Sequence, residues 1–248
     1  MSRIECDPKR ESVIDFRREN IVDRTVEVSN GRGIIDCICK TANSGKKFRF
    51  TAHIESDGEV FMCEYDDRLF VRGGKRIDVY VSCVTAYRDP EMDTSVYLSH
   101  ASVGYEALKS EHIADFERLM ERSDISFGDD GLDNLSVGDR LYRLTTDETA
   151  VDRSLIGLYF QFGKYLLISS GREDTYPANL QGLWADGLKS PWDSDYHTNI
   201  NLQMNYWPAE VANISECTQS LFNYMNECLL PGGRRVAREN YHAGGAVI

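Results

Sequence analysis

Two hydrophobic rhythms divide this chain of 248 residues. Up to about residue 100 apolar side chains recur near period two between turn signals, and beyond it they recur near 3.6. Strands and helices kept in separate stretches predict an α+β fold. Gly33–Thr41, Lys47–Ile54, Glu59–Tyr65 and Ile77–Thr85 mix β-branched and aromatic residues with polar ones and are expected to be strands. In Ile77–Val84 the odd positions are mostly apolar, as in a strand with one buried face. Asn30-Gly31, Asn43-Ser44-Gly45, Asp57-Gly58 and Gly73-Gly74 supply turns. Short strands so spaced suggest antiparallel sheet or a β-sandwich. Leu108, Ile113, Phe116, Leu119 and Met120 then predict a helix over Ala101–Arg122. Val151–Ser169 predicts another, so apolar that it is expected inside a helical assembly, with Gly171 ending it.

Charge follows the same division. In residues 1–150, 51 of 150 positions are charged, against 17 of 98 in residues 151–248, so two regions of different character share the chain. The polar run Gly128–Asp133 puts their boundary near residues 128–150. The net charge of −12 argues against nucleic acid or an anionic membrane as a partner. No run approaches a membrane span, and no secretory pattern opens the chain. Seven scattered cysteines suit free thiols in a reducing compartment, which tilts the localisation toward cytoplasm over secretion.

Chemistry is sparse at first. Cys37-x-Cys39 is followed by no second ligand pair, and period two puts both thiols on one face, so buried strand cysteines are expected rather than a metal site. His53, His100 and His112 are isolated, and surface or satisfied structural roles are expected for each. Gly31-Arg32-Gly33 reads as a hairpin turn, not a phosphate cradle. No cofactor is expected.

Residues 177–210 are dense by contrast. Asn179, Gln181, Trp184, Trp192, Tyr196, His197, Asn199, Asn201, Gln203, Asn205, Tyr206 and Trp207 set amides and an imidazole beside aromatic rings. Amides bond to hydroxyls and rings cover the apolar face of a pyranose, so a sugar site is one reading. The other is core tryptophans and loop asparagines. If residues 197–201 are extended, Asn199 and Asn201 face one way with His197 in line. Acid–base work on a glycosidic bond also needs a carboxylate, and spacing does not choose among Asp193, Asp195 and Glu210.

Three long strings carry a family resemblance: Tyr159-Phe160-Gln161-Phe162-Gly163-Lys164-Tyr165-Leu166-Leu167-Ile168-Ser169-Ser170, Pro177-Ala178-Asn179-Leu180-Gln181-Gly182-Leu183-Trp184, and above all Asp195-Tyr196-His197-Thr198-Asn199-Ile200-Asn201-Leu202-Gln203-Met204-Asn205-Tyr206-Trp207-Pro208-Ala209-Glu210. Ser215-Glu216-Cys217 and Gly233-Arg234-Arg235-Val236-Ala237 continue in register. The chain resembles glycoside hydrolase family 95, strongly over about residues 145–245. The resemblance implies an inverting α-L-fucosidase acting on α-1,2-fucosylated glycans, with L-galactose as an alternative sugar. It implies residues 1–100 as the C-terminal part of a β-sandwich, 101–150 as a linker, and 151–248 as the N-terminal part of an (α/α)6 barrel. Asn199 and Asn201 would hold the attacking water, and His197, with Trp184, Tyr206 and Trp207, would bind the sugar.

Departures from the family pattern set further expectations. The family's acid glutamate and partner aspartate lie well downstream of the Asn-x-Asn motif, so neither maps onto Asp195, Glu210, Glu216 or Glu227. Gly245-Ala246-Val247 stands where the family has Gly-Trp-Val, and Ala185 replaces an asparagine after Trp184. The chain reads as a middle slice of a longer enzyme, with dimerisation through uncovered helix faces as one expectation. A non-catalytic sugar-binding remnant and a non-functional fragment remain as alternatives.

Overall fold

The computed structural model describes residues 1–41, 45–87, 89–187 and 189–248. The expected turn at Asn43-Ser44 lies outside them. Two compact units make up the chain, Met1–Ile113 and Ala114–Ile248. The first holds eight strands among its described residues: β1 (Ser2–Glu5), β2 (Ser12–Ile14), β3 (Ile21–Ser29), β4 (Arg32–Lys40), β5 (Lys47–Ser56), β6 (Glu59–Phe61), β7 (Leu69–Arg72) and β8 (Arg76–Thr85). They form a five-stranded sheet, β1-β8-β5-β4-β3, and a three-stranded one, β2-β7-β6. Every pairing is antiparallel.

Alternation accounts for the core of this unit. In β4, Ile35, Cys37 and Cys39 are buried while Ile34, Asp36 and Ile38 are half-buried on the other face. Ala52 and Ile54 from β5 and Val60, Leu69 and Val71 from β6 and β7 complete the cluster, so both sheets share it. The two cysteines are core residues as expected, and burial pushes both thiols up. Asn30 and Gly31, at φ 52° and 75°, close the β3–β4 hairpin against the Ser29–Arg32 pair. Gly33 just beyond is there for space, since a Cβ would lie 2.6 Å from the Leu69 side chain.

Strand β8 departs from the one-face pattern. Ile77 and Val79 meet the shared core, but Val81 and Cys83 further along are exposed, while Tyr80 and Ser82 on the even face are buried. Helix α1 (Ser95–Ser99) and the following turn cover that even face, where Tyr80 packs with Leu98 and Ala101. The helix expected over Ala101–Arg122 is split at Gly104, at φ 89°, so that α2 runs over Tyr105–Met120.

The second unit is helical: α3 (Val137–Thr146), α4 (Arg153–Ser170), α5 (Asn201–Tyr206), α6 (Pro208–Val211), α7 (Gln219–Tyr224) and α8 (Leu230–Tyr241). Ser136 caps α3 by accepting from the Asp139 amide at 3.1 Å, and Asp152 caps α4 by accepting from Leu155 at 3.0 Å. A π turn at Met225–Leu229 precedes α8, whose Pro231 has no amide hydrogen to continue the ladder. Leu119, Leu167, Ile168, Leu202, Ala209 and Ile214 form the core. The fold is α+β with antiparallel sheets, and no helix among the described residues is long and apolar enough to cross a membrane.

Helix α4 is only half enclosed. Leu167 and Ile168 are buried as expected, but Ile156, Tyr159 and Phe162 are exposed, Tyr159 by 77%. With Val137, Leu141 and Leu144 of α3 they line an apolar groove of about 620 Å³. Gly171 does end α4, but at φ −118° its value is close approach rather than left-handed freedom. A Cβ there would lie 2.9 Å from the Cys217 carbonyl oxygen.

One buried charge ties α4 to the end of α2. Lys164 is 1% exposed, and its Nζ donates to the carbonyls of Met120 and Ser123 at 2.6 Å each. These carbonyls lie at and just beyond the helix C-terminus, where a cation is favoured. Burial pulls the ammonium pKa down, with Asp124 opposing. Lys164→Met keeps the length but removes the ammonium from the Met120 and Ser123 carbonyls, leaving Ser123 with only the 3.5 Å contact from Gln161 Nε2, so unfolding stability should fall by about 2 kcal/mol. A shift of the urea midpoint at unchanged slope is the check.

Candidate functional site

The loop after α4 is held from below by a buried tyrosine. The Tyr206 hydroxyl accepts from the Ala178 amide at 3.2 Å and shares a 3.2 Å hydrogen bond with the Ser220 hydroxyl. The Tyr196 hydroxyl donates to the Pro177 carbonyl at 2.9 Å. Asn205 Nδ2 reaches the carbonyls of Ala178 and Asn179 at 3.4 and 3.5 Å. Burial raises the pKa of both tyrosines, so both hydroxyls stay protonated and neutral. Four side-chain contacts thus fix the backbone of residues 177–179 before any ligand is considered.

From this base the chain folds a wall. Asn179 accepts from the Gln181 amide at 2.8 Å, and Gln181 Nε2 donates to the Pro191 carbonyl at 3.2 Å. Gly182, at φ 65°, bends so tightly that a Cβ would lie 2.8 Å from the Trp184 ring. Trp184, Asn179, Gln181 and Asn205 line a cavity of about 250 Å³ whose other side is Gly163 and Ser170 of α4. The two small α4 residues make this space, and no signal in the loop itself points to them.

The segment that follows is strained. Of nine non-glycine residues at positive φ among the described residues, four lie between 192 and 200: Trp192, Asp193, Ser194 and Ile200. Ile200 is the extreme, a β-branched residue at φ 100°. Such backbone persists only where neighbours over-determine it, and it clusters at functional sites. Here the neighbour is Gln203. Its Oε1 accepts from the Ile200 amide at 2.9 Å while its Nε2 donates to the Thr198 carbonyl at 2.6 Å. The Leu202 amide closes the turn on the His197 carbonyl at 3.0 Å.

This geometry corrects the extended reading of residues 197–201. Thr198–Ile200 is a turn and Asn201 opens α5, so strand alternation does not align the two asparagines. Asn199 and Asn201 are both exposed, on either side of strained Ile200, and His197 beside them is half-buried. Of the aromatic residues, Trp184 lies on the cavity and Trp207 is 60% exposed. Tyr206 is 7% exposed with its hydroxyl engaged within the fold, which makes it a support of the loop rather than part of an open wall. The sequence pattern counts Gln203 among the amides of this segment but gives it no role, although a long amide two residues after Asn201 is the reach that the turn requires.

The nearby carboxylates divide by state. Asp193, Asp195 and Glu210 are exposed. Glu216 pairs with Arg122 at 2.6 Å, and hydrogen bonds from its own backbone and from Arg122 hold its carboxyl below the usual range. That keeps Glu216 ionised at neutral pH, the wrong state for a general acid.

The glycosyl hydrolase family 95 catalytic domain model matches residues 104–248. "Alpha-L-fucosidase 2" of Arabidopsis thaliana is 41% identical over 148 residues, which cover 58% of this chain and 17% of that protein. "Probable alpha-fucosidase A" of Aspergillus oryzae is 39% identical over 144 residues, covering 56% and 20%. Its namesake of Aspergillus niger is 36% identical over 143 residues, covering 57% and 18%. In each match the chain spans about a fifth of the relative's length.

Proposed function

The chain belongs to glycosyl hydrolase family 95, a glycosidase family, and we propose that it supplies one wall of the active site of an α-L-fucosidase. The observation that carries this reading is the strained Asn199-Ile200-Asn201 turn, locked at both ends by Gln203 inside the matched stretch. Two carboxamides on a braced turn hold a water without being bases themselves, since each offers an acceptor oxygen and donor hydrogens. A water fixed this way attacks the anomeric carbon from the face opposite the leaving group, which is inversion. Asn199 and Asn201 are the water-positioning residues in this proposal. His197 bonds to the sugar hydroxyls, and Trp184 and Trp207 cover its C–H face.

The attacking water loses its proton to a carboxylate acting as general base while the leaving oxygen takes one from a carboxyl acting as general acid. Both are further groups, and Glu216, held ionised by Arg122, is not the acid. The helical unit forms part of an (α/α)6 barrel, and the open apolar groove between α3 and α4 supports this, because a neighbouring helix would fill it. The substrate class is an α-1,2-fucosylated glycan.

The test uses the longest polypeptide that the gene encodes, incubated with 2′-fucosyllactose and followed by proton NMR. Inversion gives β-L-fucose as the first sugar released. Release of the α anomer first would sink the mechanism. Saturable binding with no release would point to the non-catalytic remnant, and faster cleavage of the matching L-galactoside would move the specificity to that sugar.

A further inference from the structure

Trp192 stands apart from the cavity that Trp184 lines and from the core of the helical unit. It is 71% exposed, and its backbone sits at φ 49° and ψ 33°. Asp193 and Ser194 follow at φ 54° and 56°, so three consecutive residues with side chains hold the left-handed conformation. Residues other than glycine, asparagine and aspartate enter that region at a cost, and seldom in a row. The position therefore carries two unfavourable features at once, a strained backbone and a large apolar ring left in water. Asparagine or glycine would suit the turn better, so the demands of the turn do not account for a tryptophan here.

The strained turn is braced from the wall of the candidate site. Gln181 Nε2 holds the Pro191 carbonyl on one side of Trp192, and the Leu180 amide donates to the Asp195 carbonyl at 3.1 Å on the other. Within the turn the Asp193 amide donates to the Ser190 carbonyl and the Asp195 amide to the Trp192 carbonyl, both at 3.1 Å. The indole is thus presented from the same frame that carries Trp184, whose amide donates to the Gln181 carbonyl at 3.2 Å. His197 follows Asp195 by two residues, which puts the ring and the proposed sugar contact on one short segment. Asp193 and Asp195 beside the ring are exposed carboxylates.

We propose that Trp192 is the platform for the leaving-group sugar, the residue to which the fucose is attached. This assignment rests on the fucosidase reading and adds a second subsite to it. A fucosylated glycan has a sugar on each side of the bond that breaks, and His197, Trp184 and Trp207 serve the fucose side alone. A pyranose lays its C–H face on an indole, and carboxylates at the rim accept from its hydroxyls. The same carboxylates disfavour an anionic sugar, so the occupant is a neutral hexose. A ring fixed in advance by its backbone holds that sugar, and with it the leaving oxygen, in line for displacement.

Trp192→Asn separates recognition from folding, because asparagine tolerates the left-handed turn and removes the ring. Made in the longest encoded polypeptide, it should melt at or above wild type. The two substrates are 2′-fucosyllactose and α-L-fucosyl fluoride, which has no leaving sugar. The ratio of kcat/KM for the first to that for the second should fall about tenfold in the variant. A second readout is fluorine NMR of the fluorotryptophan-labelled polypeptide, in which the Trp192 signal is the one that Trp192→Asn lacks. Millimolar lactose, the leaving group of 2′-fucosyllactose, should shift that signal saturably. An unchanged ratio, no shift with lactose, or a variant that melts well below wild type overturns the proposal. A lactose shift without cleavage of either substrate by wild type leaves the platform standing and removes the fucosidase reading instead.

Discussion

Asn201→Ala, made in the longest encoded polypeptide, is expected to lower kcat about 100-fold or more while KM changes little. The argument rests on where the side chain stands. Asn201 opens α5 directly after a β-branched residue at φ 100°, so the backbone that carries its carboxamide is set by strain rather than by ordinary preference. A water held there has its orientation paid in advance, and alanine releases it without touching the residues that cover the sugar. Asn199→Ala should behave the same way from the other side of the turn. Gln203→Met is the sharper variant, since Gln203 touches no substrate in this proposal and acts through the turn. It loses the hydrogen bonds to Ile200 and Thr198, so kcat should fall while fucose still binds. His197→Ala should raise KM instead. If Asn199, Asn201 and Gln203 variants all keep wild-type kcat, the water is held elsewhere.

Much of this molecule is legible in its residues, and the gaps have physical causes. β4 is read correctly because one of its faces is buried along its length, giving Ile35, Cys37 and Cys39 at period two. β8 misleads because different halves of it are covered on different faces, so no single alternation describes it. β3 escapes notice as an edge strand whose Asp23, Arg24 and Glu27 resemble a polar loop, the charges that edge strands carry against unwanted pairing. The aromatic and amide density of residues 177–207 locates the candidate site but not its form. Alternation assumes ordinary backbone, and Ile200 at positive φ violates that assumption where it matters most. The burial of Tyr206 and the space left by Gly163 and Ser170 depend on packing between segments far apart in sequence.

The largest stability effect is expected at Asp152. This carboxylate and Arg140 are both nearly inaccessible, at 5% and 4%, and bind through two hydrogen bonds of 2.6 and 2.8 Å. Asp152 also caps α4 through the Leu155 amide, and Arg140 reaches Ser154 at 2.6 Å. The Arg140 hydrogen bonds hold the Asp152 pKa down to about 2. A carboxyl whose folded pKa lies below its unfolded value contributes stability that is full above about pH 4 and lost as pH falls toward about 2. Asp130, held down by Arg153 in the same segment, acts in the same direction. The melting temperature should therefore drop steeply across that window in the wild-type chain. Asp152→Asn keeps a capping oxygen but leaves the Arg140 charge in the interior, with the neutral Ser154 hydroxyl at 2.6 Å and exposed Asp133 at 3.7 Å as its partners. It should melt well below wild type at pH 7 and show a shallower acid slope. Arg140→Met combined with Asp152→Asn removes both charges, and so should recover part of the loss seen in Asp152→Asn alone. Superimposable melting temperatures for wild type and Asp152→Asn from pH 7 to about pH 2 would mean that the pair contributes nothing to the fold, and parallel but offset ones would mean that the fold does not lower the Asp152 pKa.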